Sequence, residues 1–558
     1  MDRNALIEQF RRRIRIDTRS LAVFRVIAGV LIVVDILLRL RNFRFFYTDD
    51  GVMPVEVARG LVPEYAVSVF FLSGDPTITL LLFAIHFVVA IQLILGYYTR
   101  FAIVVSFLFV VSVDYRNPIV TSYADVIFRH MLFWAMFMPL GARYSIDALR
   151  ADGPALKQYT GLAGMFALLQ MMFMYLSNGS HKIPSREAWL SGETMTTLLH
   201  YDRVAFLLSE YIREFPLFVQ FSGALWYSMM LGSPLLLLFT GRGRYLLASL
   251  YAGGHLFLAV TVRIGAFPYA AIMGLMLFFQ SRAWDDAAWV ASRLGLPVGR
   301  VVDAVAHRGQ RLERRLPHLA VGDRIPSAER LRRPAAALVI VIVLVSGIFT
   351  VIPNAQTIGV VDEDESIPFE DEVTAAQQTV RVAEPSWRFY PNPISSNYYF
   401  VFAGETTDGQ HVDVFNDRPL QWDRPYADNY RQLETYRHRF YMTTVRNHGV
   451  DGRESGVVEQ YQDHLCAEYE WDGQPLERVT MYYVHEWTDT ETVDDYREYD
   501  RRVILIDAHG CDGADPGPIS APPPEYLEHA NAELLEFLEE AEGGESDALD
   551  RVDAPSQP

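Results

Sequence analysis

Lysine is almost absent from this chain, and one of its lysines stands where a proton-accepting group could act. Of the 49 Lys and Arg residues only Lys157 and Lys182 are lysines. A buried lysine can lose its proton, whereas arginine effectively cannot. Lys182 follows an apolar run, in the stretch Tyr175-Leu-Ser-Asn-Gly-Ser-His-Lys-Ile183. Lys182 is therefore a candidate general base. The alternative is that one of the two remaining lysines lies by chance in this loop, at the interface between membrane and water.

Three further ionisable residues fall inside apolar runs. Arg129 and His130 are adjacent, and His255 follows Gly253-Gly254. Ionisable side chains at membrane depth are costly, so they mark function or paired structure. We expect Arg129, His130 and His255 to line one polar cavity. Because they include no carboxylate and no suitable ligand spacing, we predict no bound metal.

Long apolar runs must hold these residues in place. Runs of about 18 or more apolar residues are typical of membrane-spanning helices, since about 20 helical residues cross the hydrocarbon layer. In the first run, Asp35 and Arg39 lie one helical turn apart and are predicted to pair. The sequence predicts nine spans, at 20–40, 77–98, 101–115, 123–140, 160–176, 216–239, 245–262, 265–280 and 335–352.

The distribution of basic residues predicts the orientation of these spans. With the N-terminus inside, the cytoplasmic segments hold 23 basic residues and the outer loops hold 9, and basic residues concentrate on the inner side of membranes. Nine crossings then place the C-terminal part outside. We therefore expect a multi-pass protein of the cell membrane with a cytoplasmic N-terminus and an extracellular C-terminal domain. Arg11-Arg12-Arg13 before the first span predicts an uncleaved anchor.

The C-terminal part has a different composition. Residues 353–558 hold 14 basic and 44 acidic side chains, whereas residues 1–352 hold 35 and 24. Abundant acidic residues, with arginine in place of lysine, are typical of adaptation to high salt and predict a haloarchaeal-type microbial protein; the alternative is a surface for cations or a basic partner. The composition excludes a nucleic-acid binder with a basic face, a disulfide-rich secreted module and a disordered chain.

The fold class predicted is a membrane α-helical bundle of about nine transmembrane helices, followed by an extracytoplasmic α+β or β-rich domain. Cys466 and Cys511, the only cysteines, lie in that domain and could form one disulfide. Patterning predicts strands at 397–403, 411–415, 439–445, 479–487 and 502–506, and helices at 425–437, 454–470 and 525–541. The predicted divisions are a basic N-terminus (1–19), an eight-helix membrane domain (20–280), an Arg-rich cytoplasmic segment (281–334), a ninth span (335–352), the outer domain (353–511) and an acidic, partly disordered tail (512–558).

Five segments, in this order, resemble one family. They are Ser20-Leu-Ala-Val-Phe-Arg-Val-Ile-Ala-Gly29 with Asp35; Arg129-His130 with Arg143-Tyr-Ser-Ile-Asp147; Tyr175 and Gly179-Ser-His-Lys182 with Trp189 and Gly192; His255 with Ile264-Gly-Ala-Phe-Pro-Tyr269; and Trp387-Arg-Phe-Tyr-Pro-Asn-Pro393. Together they resemble the vitamin K-dependent gamma-glutamyl carboxylases and their microbial relatives with the horizontally transferred transmembrane (HTTM) domain. The resemblance covers about residues 18–282 well and 335–500 loosely.

This resemblance implies a reaction and its co-substrates. In that family a reduced quinone, of the vitamin K or menaquinol type, is deprotonated by the motif lysine and reacts with O2. The base so formed removes the γ-proton of a protein glutamate, and the carbanion captures CO2. The resemblance therefore makes Lys182 the base, with His130 and His255 in the active cavity. The implied partners are membrane lipid or quinone and an extracytoplasmic protein substrate, and no nucleic acid.

The resemblance also suggests residues that would contact quinone or substrate, namely Arg129, Tyr175 and Trp189. Two positions depart from the family pattern: Arg129 stands where animal carboxylases have a small amide, and His181 replaces a lysine beside the candidate base. The alternative function is a non-catalytic protein of the same family that binds quinone, lipid or a partner. A transporter is disfavoured because no pair of interrupted apolar segments occupies matching halves.

Overall fold

The helical part of the chain precedes the sheet. The computed structural model describes residues 3–317, 328–360, 370–383, 387–489, 491–493, 495–527, 530 and 533–539. The helices before the sheet are α1 (Arg3–Ile14), α2 (Thr18–Leu40), α3 (Phe43–Tyr47), α4 (Val55–Gly60), α5 (Pro76–Leu95), α6 (Thr99–Arg116), α7 (Tyr123–Ala135), α8 (Ile146–Arg150), α9 (Leu162–Ser180), α10 (Arg186–Ser191), α11 (Glu193–His200), α12 (Ser209–Arg213), α13 (Pro216–Leu231), α14 (Leu235–Leu238), α15 (Gly241–Thr261), α16 (Phe267–Leu275), α17 (Ser281–Arg293), α18 (Val298–Glu313), α19 (Ala328–Thr357) and α20 (Glu370–Thr379).

Within the described residues, four helices are long and apolar enough to cross a membrane. They are α2, α5, α9 and the part of α19 from Ala336 to Thr357. The prediction of nine transmembrane helices is therefore not supported. Helices do occupy all nine predicted segments, so the apolar patterning located helices correctly.

The other predicted spans are short, charged or interrupted. The run 216–239 forms two helices, α13 and α14, which are separated at Gly232-Ser-Pro234, because proline donates no backbone hydrogen bond and cannot continue a helix. The run 123–140 yields only the 13 residues of α7, and Pro139 lies just beyond them. The run 265–280 yields the 9 residues of α16 and a short 3-10 turn. Helices α6 and α15 are longer, but both contain arginines.

The ion pair predicted in the first span is confirmed. The Nε atom of Arg39 lies 2.6 Å from Oδ2 of Asp35 on α2. Arg39 also reaches Asp114 of α6, with Nη2 and Oδ1 separated by 3.2 Å. The pair therefore belongs to a larger network that joins neighbouring helices.

The C-terminal part forms one antiparallel sheet with helices. Its strands run in the order β5, β4, β3, β7 and β6, and β8 pairs with the other part of the long β7. A separate two-stranded pair, β1 with β2, ties the start of α2 to the loop before α9. The strands are β1 (Ile16–Asp17), β2 (Gln158–Tyr159), β3 (Ser396–Thr406), β4 (His411–Asp413), β5 (Arg418–Pro419), β6 (Glu470–Trp471), β7 (Gln474–Trp487) and β8 (Asp500–Gly510), and the accompanying helices are α21 (Tyr436–Val450), α22 (Val457–Glu468) and α23 (Pro524–Leu527).

Both faces of the sheet are covered. Alternate residues of a strand point to opposite faces, and on β3 Phe400 and Phe402 belong to the main core with Tyr441 of α21. Tyr399 and Val401 point to the opposite face, where they belong to a second apolar cluster that includes residues following the last strand. This arrangement explains why β3 is apolar on both sides.

The strands were predicted better than the helices around them. Strands lie in the regions predicted at 397–403, 411–415, 479–487 and 502–506, and α22 lies within the predicted helix 454–470. The predicted strand 439–445 is wrong, because these residues belong to α21, whose N-terminus is capped by the Thr435 side chain. The predicted helix 425–437 is also wrong over most of its length, since a 3-10 turn and bends precede α21.

The end of the chain is only partly described. The predicted helix 525–541 is divided between α23 and a helical stretch at 533–539, and the rest of the predicted tail lies outside the described residues. Cys466 of α22 and Cys511, just after β8, form a disulfide with a Cα–Cα distance of 5.6 Å. The possibility left open by the sequence is therefore resolved in favour of a bond.

Candidate functional site

Lys182 is buried just beyond the C-terminal end of α9. Lys182 is only 1% exposed to solvent. Its Nζ atom donates a hydrogen bond to Oδ1 of Asn178, one helical turn earlier, at 2.5 Å. Nζ also donates to the backbone carbonyl oxygen of Phe389, and it lies 5.1 Å from the centroid of the Trp189 ring. Among the described residues, no carboxylate forms an ion pair with Lys182. The lysine is therefore held by neutral acceptors and an aromatic face.

This environment changes the acidity of Lys182. Burial lowers the pKa of the Lys182 ammonium from 10.5 to about 7, because removal from water penalises the charged form and no anion compensates for it. A substantial fraction of the side chain is thus a neutral amine near neutral pH. An amine in that state can accept a proton.

Lys182 faces a small, mainly apolar cavity. The cavity has a volume of about 70 Å³ and includes Trp189, Tyr175 and His255 in its walls. The Tyr175 hydroxyl lies 2.7 Å from Nε2 of His255. This pair adds a second polar group to a cavity wall that is otherwise mainly apolar. Much of that surface is provided by flexible or aromatic side chains, namely Met174, Met195, Met230, Trp226 and Phe267.

The segment before β3 closes this cavity. The Phe389 ring lies 4.7 Å from the Phe267 ring and 4.4 Å from the Tyr123 ring, measured between centroids. Nearby, Nε1 of Trp189 donates to the carbonyl oxygen of Pro391 at 3.2 Å. Tyr390 adopts the left-handed backbone region, with φ of 43°, a conformation that is costly for a non-glycine residue and needs surrounding contacts to hold it. The C-terminal part of the chain thus completes a site that is built mainly on the helices.

Four of the six residues singled out in the sequence share this cavity, and two do not. Lys182, His255, Tyr175 and Trp189 line it. The expectation that Arg129, His130 and His255 line one cavity is wrong, because Arg129 and His130 are not among its lining residues.

Arg129 and His130 are engaged elsewhere. Arg129 pairs with Asp114 of α6, and its Nε donates to the carbonyl oxygen of Arg381 at 3.1 Å. His130 Nδ1 lies 2.8 Å from the carbonyl oxygen of Val126 on its own helix. Neighbouring helical residues point in directions about 100° apart, so sequence adjacency did not place these two side chains together.

Two groups at the site escaped the sequence analysis. Asn178 stands four residues before Lys182, and this helical spacing predicts contact between the two side chains. The sequence predictions did not include the asparagine as a partner of the lysine. The carbonyl oxygen of Phe389 is a backbone atom, 207 residues away in sequence from Lys182. The motif that begins at Trp387 was one of the segments that resemble the family. The identity of its residues does not indicate which backbone carbonyl accepts a hydrogen bond from the lysine.

Comparisons with known proteins describe the helical part of the chain. No curated protein and no solved structure matches the chain. Residues 14–284 match the family model of the HTTM domain. These residues are thus similar to an HTTM domain, and together with the four apolar helices this match indicates a membrane protein.

Proposed function

We propose that the chain is a membrane enzyme that carries out quinol- and O2-dependent carboxylation, or a related quinol oxygenation, with Lys182 as the general base. The observation that carries this proposal is the burial of the Lys182 amine in an apolar cavity, with no carboxylate partner among the residues that the structure describes. A general base works best when its pKa lies near the working pH, and burial lowers the pKa of Lys182 to about 7.

The hydrogen bonds of Lys182 match a neutral amine. A neutral amine has two N–H donors and one lone pair, whereas an ammonium has three donors and none. Asn178 Oδ1 and the carbonyl oxygen of Phe389 accept from Nζ, which accounts for both N–H groups. The remaining lone pair is available to accept a proton from a ligand in the cavity.

The residues around the cavity fit the chemical character of a quinol. An aromatic ring suits the apolar walls, and its two hydroxyls need polar partners, which Lys182 and the Tyr175–His255 pair provide. When bound, the quinol and O2 supply a strong base that removes a carbon-bound proton, giving quinone epoxide and water, while CO2 replaces that proton as a carboxylate. The chain's own part is to take the first proton at Lys182 Nζ and to exclude water.

The cavity must enlarge to admit such a ring. Its volume of about 70 Å³ is smaller than the roughly 150 Å³ that holds a benzene molecule in a protein core. Methionine side chains are flexible and adapt to irregular shapes, and Met174, Met195 and Met230 all line the cavity. We infer that these methionines move when the ring enters.

The orientation of the protein is part of this proposal. We place the N-terminus in the cytoplasm, where its basic residues favour it, and the sheet domain outside the cell. This placement requires an odd number of crossings, so at least one of the shorter helices must cross the membrane in addition to the four long apolar ones. The Cys466–Cys511 disulfide supports this placement, because disulfides persist in oxidising compartments and are rare in the cytosol. Epitope tags at the two ends should show opposite accessibility to a membrane-impermeant reagent in intact cells. Equal accessibility of both tags would contradict the orientation.

A second candidate is a quinone- or lipid-binding protein without catalysis. The small volume of the closed cavity favours it, because a site that never admits a ring and CO2 together could not carry out the reaction. In that case Lys182 would only hold the segment around Phe389 in place through its hydrogen bond.

The deciding experiment measures quinol oxidation and CO2 fixation separately. The purified protein in lipid vesicles is supplied with menaquinol, O2, labelled CO2 and a glutamate-containing peptide. We expect native activity in both assays, loss of both in Lys182→Ala, and retention of both in Lys157→Ala, which changes the exposed second lysine. Quinol oxidation without CO2 fixation would identify an oxygenase. Equal activity in native protein and Lys182→Ala would remove Lys182 from the reaction, and menaquinol binding without turnover in the native protein would favour the second candidate.

A further inference from the structure

A second, larger cavity lies between the helices and the C-terminal domain. Its volume is about 400 Å³, and its walls come from α2, α7, α16 and the segment 430–439 that leads into α21. It shares no lining residue with the cavity at Lys182. Its function is therefore a separate question from that of the candidate base.

One end of this cavity holds arginines without counter-ions. Arg203 is only 3% exposed, and neither of its terminal nitrogens has a hydrogen-bond partner in the described part of the chain. Arg263, on the same wall, has a buried Nε atom that also lacks a partner there. No carboxylate among the described residues pairs with either side chain. Buried charged donors left unpaired are costly, so these groups point to a missing anion.

The backbone brings the segments that carry the two arginines together. Ala205 and Val262 form an antiparallel β-bridge, and the N–H of Arg263 donates to the carbonyl oxygen of Val204 at 2.6 Å. Arg203 and Arg263 therefore extend from paired segments. Each guanidinium lies over a tyrosine ring: Arg203 over Tyr398 and Arg263 over Tyr430, both with 3.5 Å from Cζ to the ring centroid.

The tyrosine beneath Arg203 is affected by the positive charge. Burial raises the pKa of the Tyr398 phenol, but Arg203 and Arg446 outweigh it, and the pKa is lowered overall. The Arg203 guanidinium therefore acts as a positive charge on the ring that it covers. Elsewhere in the same cavity, Arg39 and Arg437 are paired with Asp35 and Asp125, which sets the Arg203–Arg263 end apart.

The other end of the cavity is apolar and open at the surface of the first apolar helix. Leu31, Val34 and Leu38 of α2 and Phe128 of α7 line it. Val34 is 43% exposed and Leu38 is 52% exposed, so the apolar wall continues onto a helix face that would contact lipid in a membrane. A hydrocarbon chain could enter there while its charged end reaches the arginines.

We propose that this cavity binds an anionic amphiphile, a lipid with a phosphate headgroup, whose phosphate is held by Arg203 and Arg263 and whose chain lies along α2. Arginine is well suited to this role because its planar fork donates paired hydrogen bonds to phosphate oxygens. Arg439 also lines the cavity and adds positive charge. The binding site is distinct from the reaction site and does not depend on the chemistry proposed for Lys182.

Binding of short-chain lipids to the purified full chain tests the site. The probes are dioctanoyl phosphatidic acid, dioctanoyl phosphatidylcholine and inorganic phosphate, and the measurements are the dissociation constant and the ligand-induced rise in the unfolding midpoint. We expect phosphatidic acid to bind at least about tenfold more tightly than either other probe. In the Arg203→Gln/Arg263→Gln variant that affinity should fall by at least about tenfold, since each charge-assisted hydrogen bond contributes about that factor.

A matched variant controls for the loss of two positive charges. Arg300→Gln/Arg308→Gln removes two exposed arginines of α18 and should bind like the native chain. If the double variant in the cavity does not fold, the single Arg263→Gln change, at a less buried side chain, supplies the comparison.

Equal binding of phosphatidylcholine would show that the headgroup charge plays no part. Equal binding of inorganic phosphate would show that the lipid chain does not contribute to binding. Undiminished binding of phosphatidic acid by the Arg203→Gln/Arg263→Gln variant would show that the two arginines do not contribute. Each of these three results overturns the proposal.

Discussion

Arg437 of the C-terminal domain lies 2.6 Å from Asp35 of the first apolar helix, measured between Nη2 and Oδ1. The same nitrogen lies 3.2 Å from Oδ1 of Asp125 on α7, and Asp35 also accepts from Arg39 on its own helix. A single arginine therefore joins the sheet domain to two helices of the membrane region. The C-terminal domain also supplies the Phe389 carbonyl that accepts from Lys182, so it contacts the helices at both places.

Removal of the Asp125 charge should loosen this contact. Asp125 is 12% exposed and reaches both Arg39 and Arg437, and removal of one partner from a buried ionic group costs about 3–5 kcal/mol. We expect Asp125→Asn to lower the free energy of unfolding in detergent by about 3 kcal/mol. The exposed Asp152→Asn change should leave it unchanged. A double-mutant cycle with Arg437→Gln should give a coupling of about 1–3 kcal/mol, and additive effects would contradict the contact.

The disulfide of the sheet domain offers a second test of stability. Cys466 and Cys511 are separated by 45 residues, and cross-linking a loop of that length removes chain entropy from the unfolded state equivalent to about 4 kcal/mol. We expect Cys466→Ala/Cys511→Ala to lower the unfolding free energy by about 2–4 kcal/mol. A reducing agent should destabilise the native protein but not the variant. The same response in both would mean that the bond does not form in the cell.

The hydrogen bond between Tyr175 and His255 gives a prediction inside the Lys182 cavity. Tyr175→Phe leaves a buried imidazole nitrogen without its partner, which costs about 1–3 kcal/mol, and should lower both stability and quinol-dependent activity. Replacement of both partners, in Tyr175→Phe/His255→Leu, should restore most of the stability, because no unpaired polar group then remains, but not the activity. Tyr211→Phe, at an exposed tyrosine, is the control. Full activity in the double variant would exclude this pair from the reaction.

Local patterning predicted much of the fold because it records which faces of each element are buried. The β-rich runs of β3 and β7 and the apolar runs of α2, α5 and α9 all correspond to observed elements. The same reasoning failed at 439–445, where Tyr, Thr and Val favour a strand but packing of Tyr441, Met442 and Val445 into the core holds a helix. It also failed for the span 216–239, where Gly232 and Pro234 end α13 before it is long enough to cross a membrane.

The candidate site was predictable where chemistry depends on residue type. The rarity of lysine singled out Lys182, the position of an ionisable residue within an apolar run singled out His255, and the family resemblance added Tyr175 and Trp189. These four residues share one cavity. Arg129 was misplaced because its partner Asp114 belongs to the preceding helix, and tertiary pairing of this kind leaves no local signal. Arg203 and Arg263 were missed for the same reason, since tertiary contacts such as the β-bridge between Ala205 and Val262 bring their segments together.

The pH dependence of activity should follow the protonation of Lys182. A base must be neutral to act, and burial lowers the pKa of Lys182 to about 7, so quinol oxidation should rise with pH through about pH 7 and then level off. Lys182→Arg retains a positive charge that cannot be removed at these pH values and should be inactive throughout. Lys157→Arg should reproduce the native profile. A native rate that is independent of pH between pH 5 and about pH 9 would assign the proton transfer to another group.

The same shift predicts how stability varies with pH. The pKa of Lys182 is about 7 in the folded protein and near 10.5 when the side chain is exposed, so between these values the unfolded chain holds a proton that the folded chain has released. Folding therefore becomes more favourable as pH rises through this range, by up to about 1.4 kcal/mol per pH unit, and is least favourable below about pH 7. The Lys182→Met variant lacks this group, so its stability relative to the native protein should be greatest at pH 6 and should decline steadily towards pH 10. Lys157→Met, at an exposed lysine, should differ from the native protein by the same amount at every pH. Parallel curves for native protein and Lys182→Met would mean that Lys182 is not desolvated, and would remove the physical basis for its role as a base.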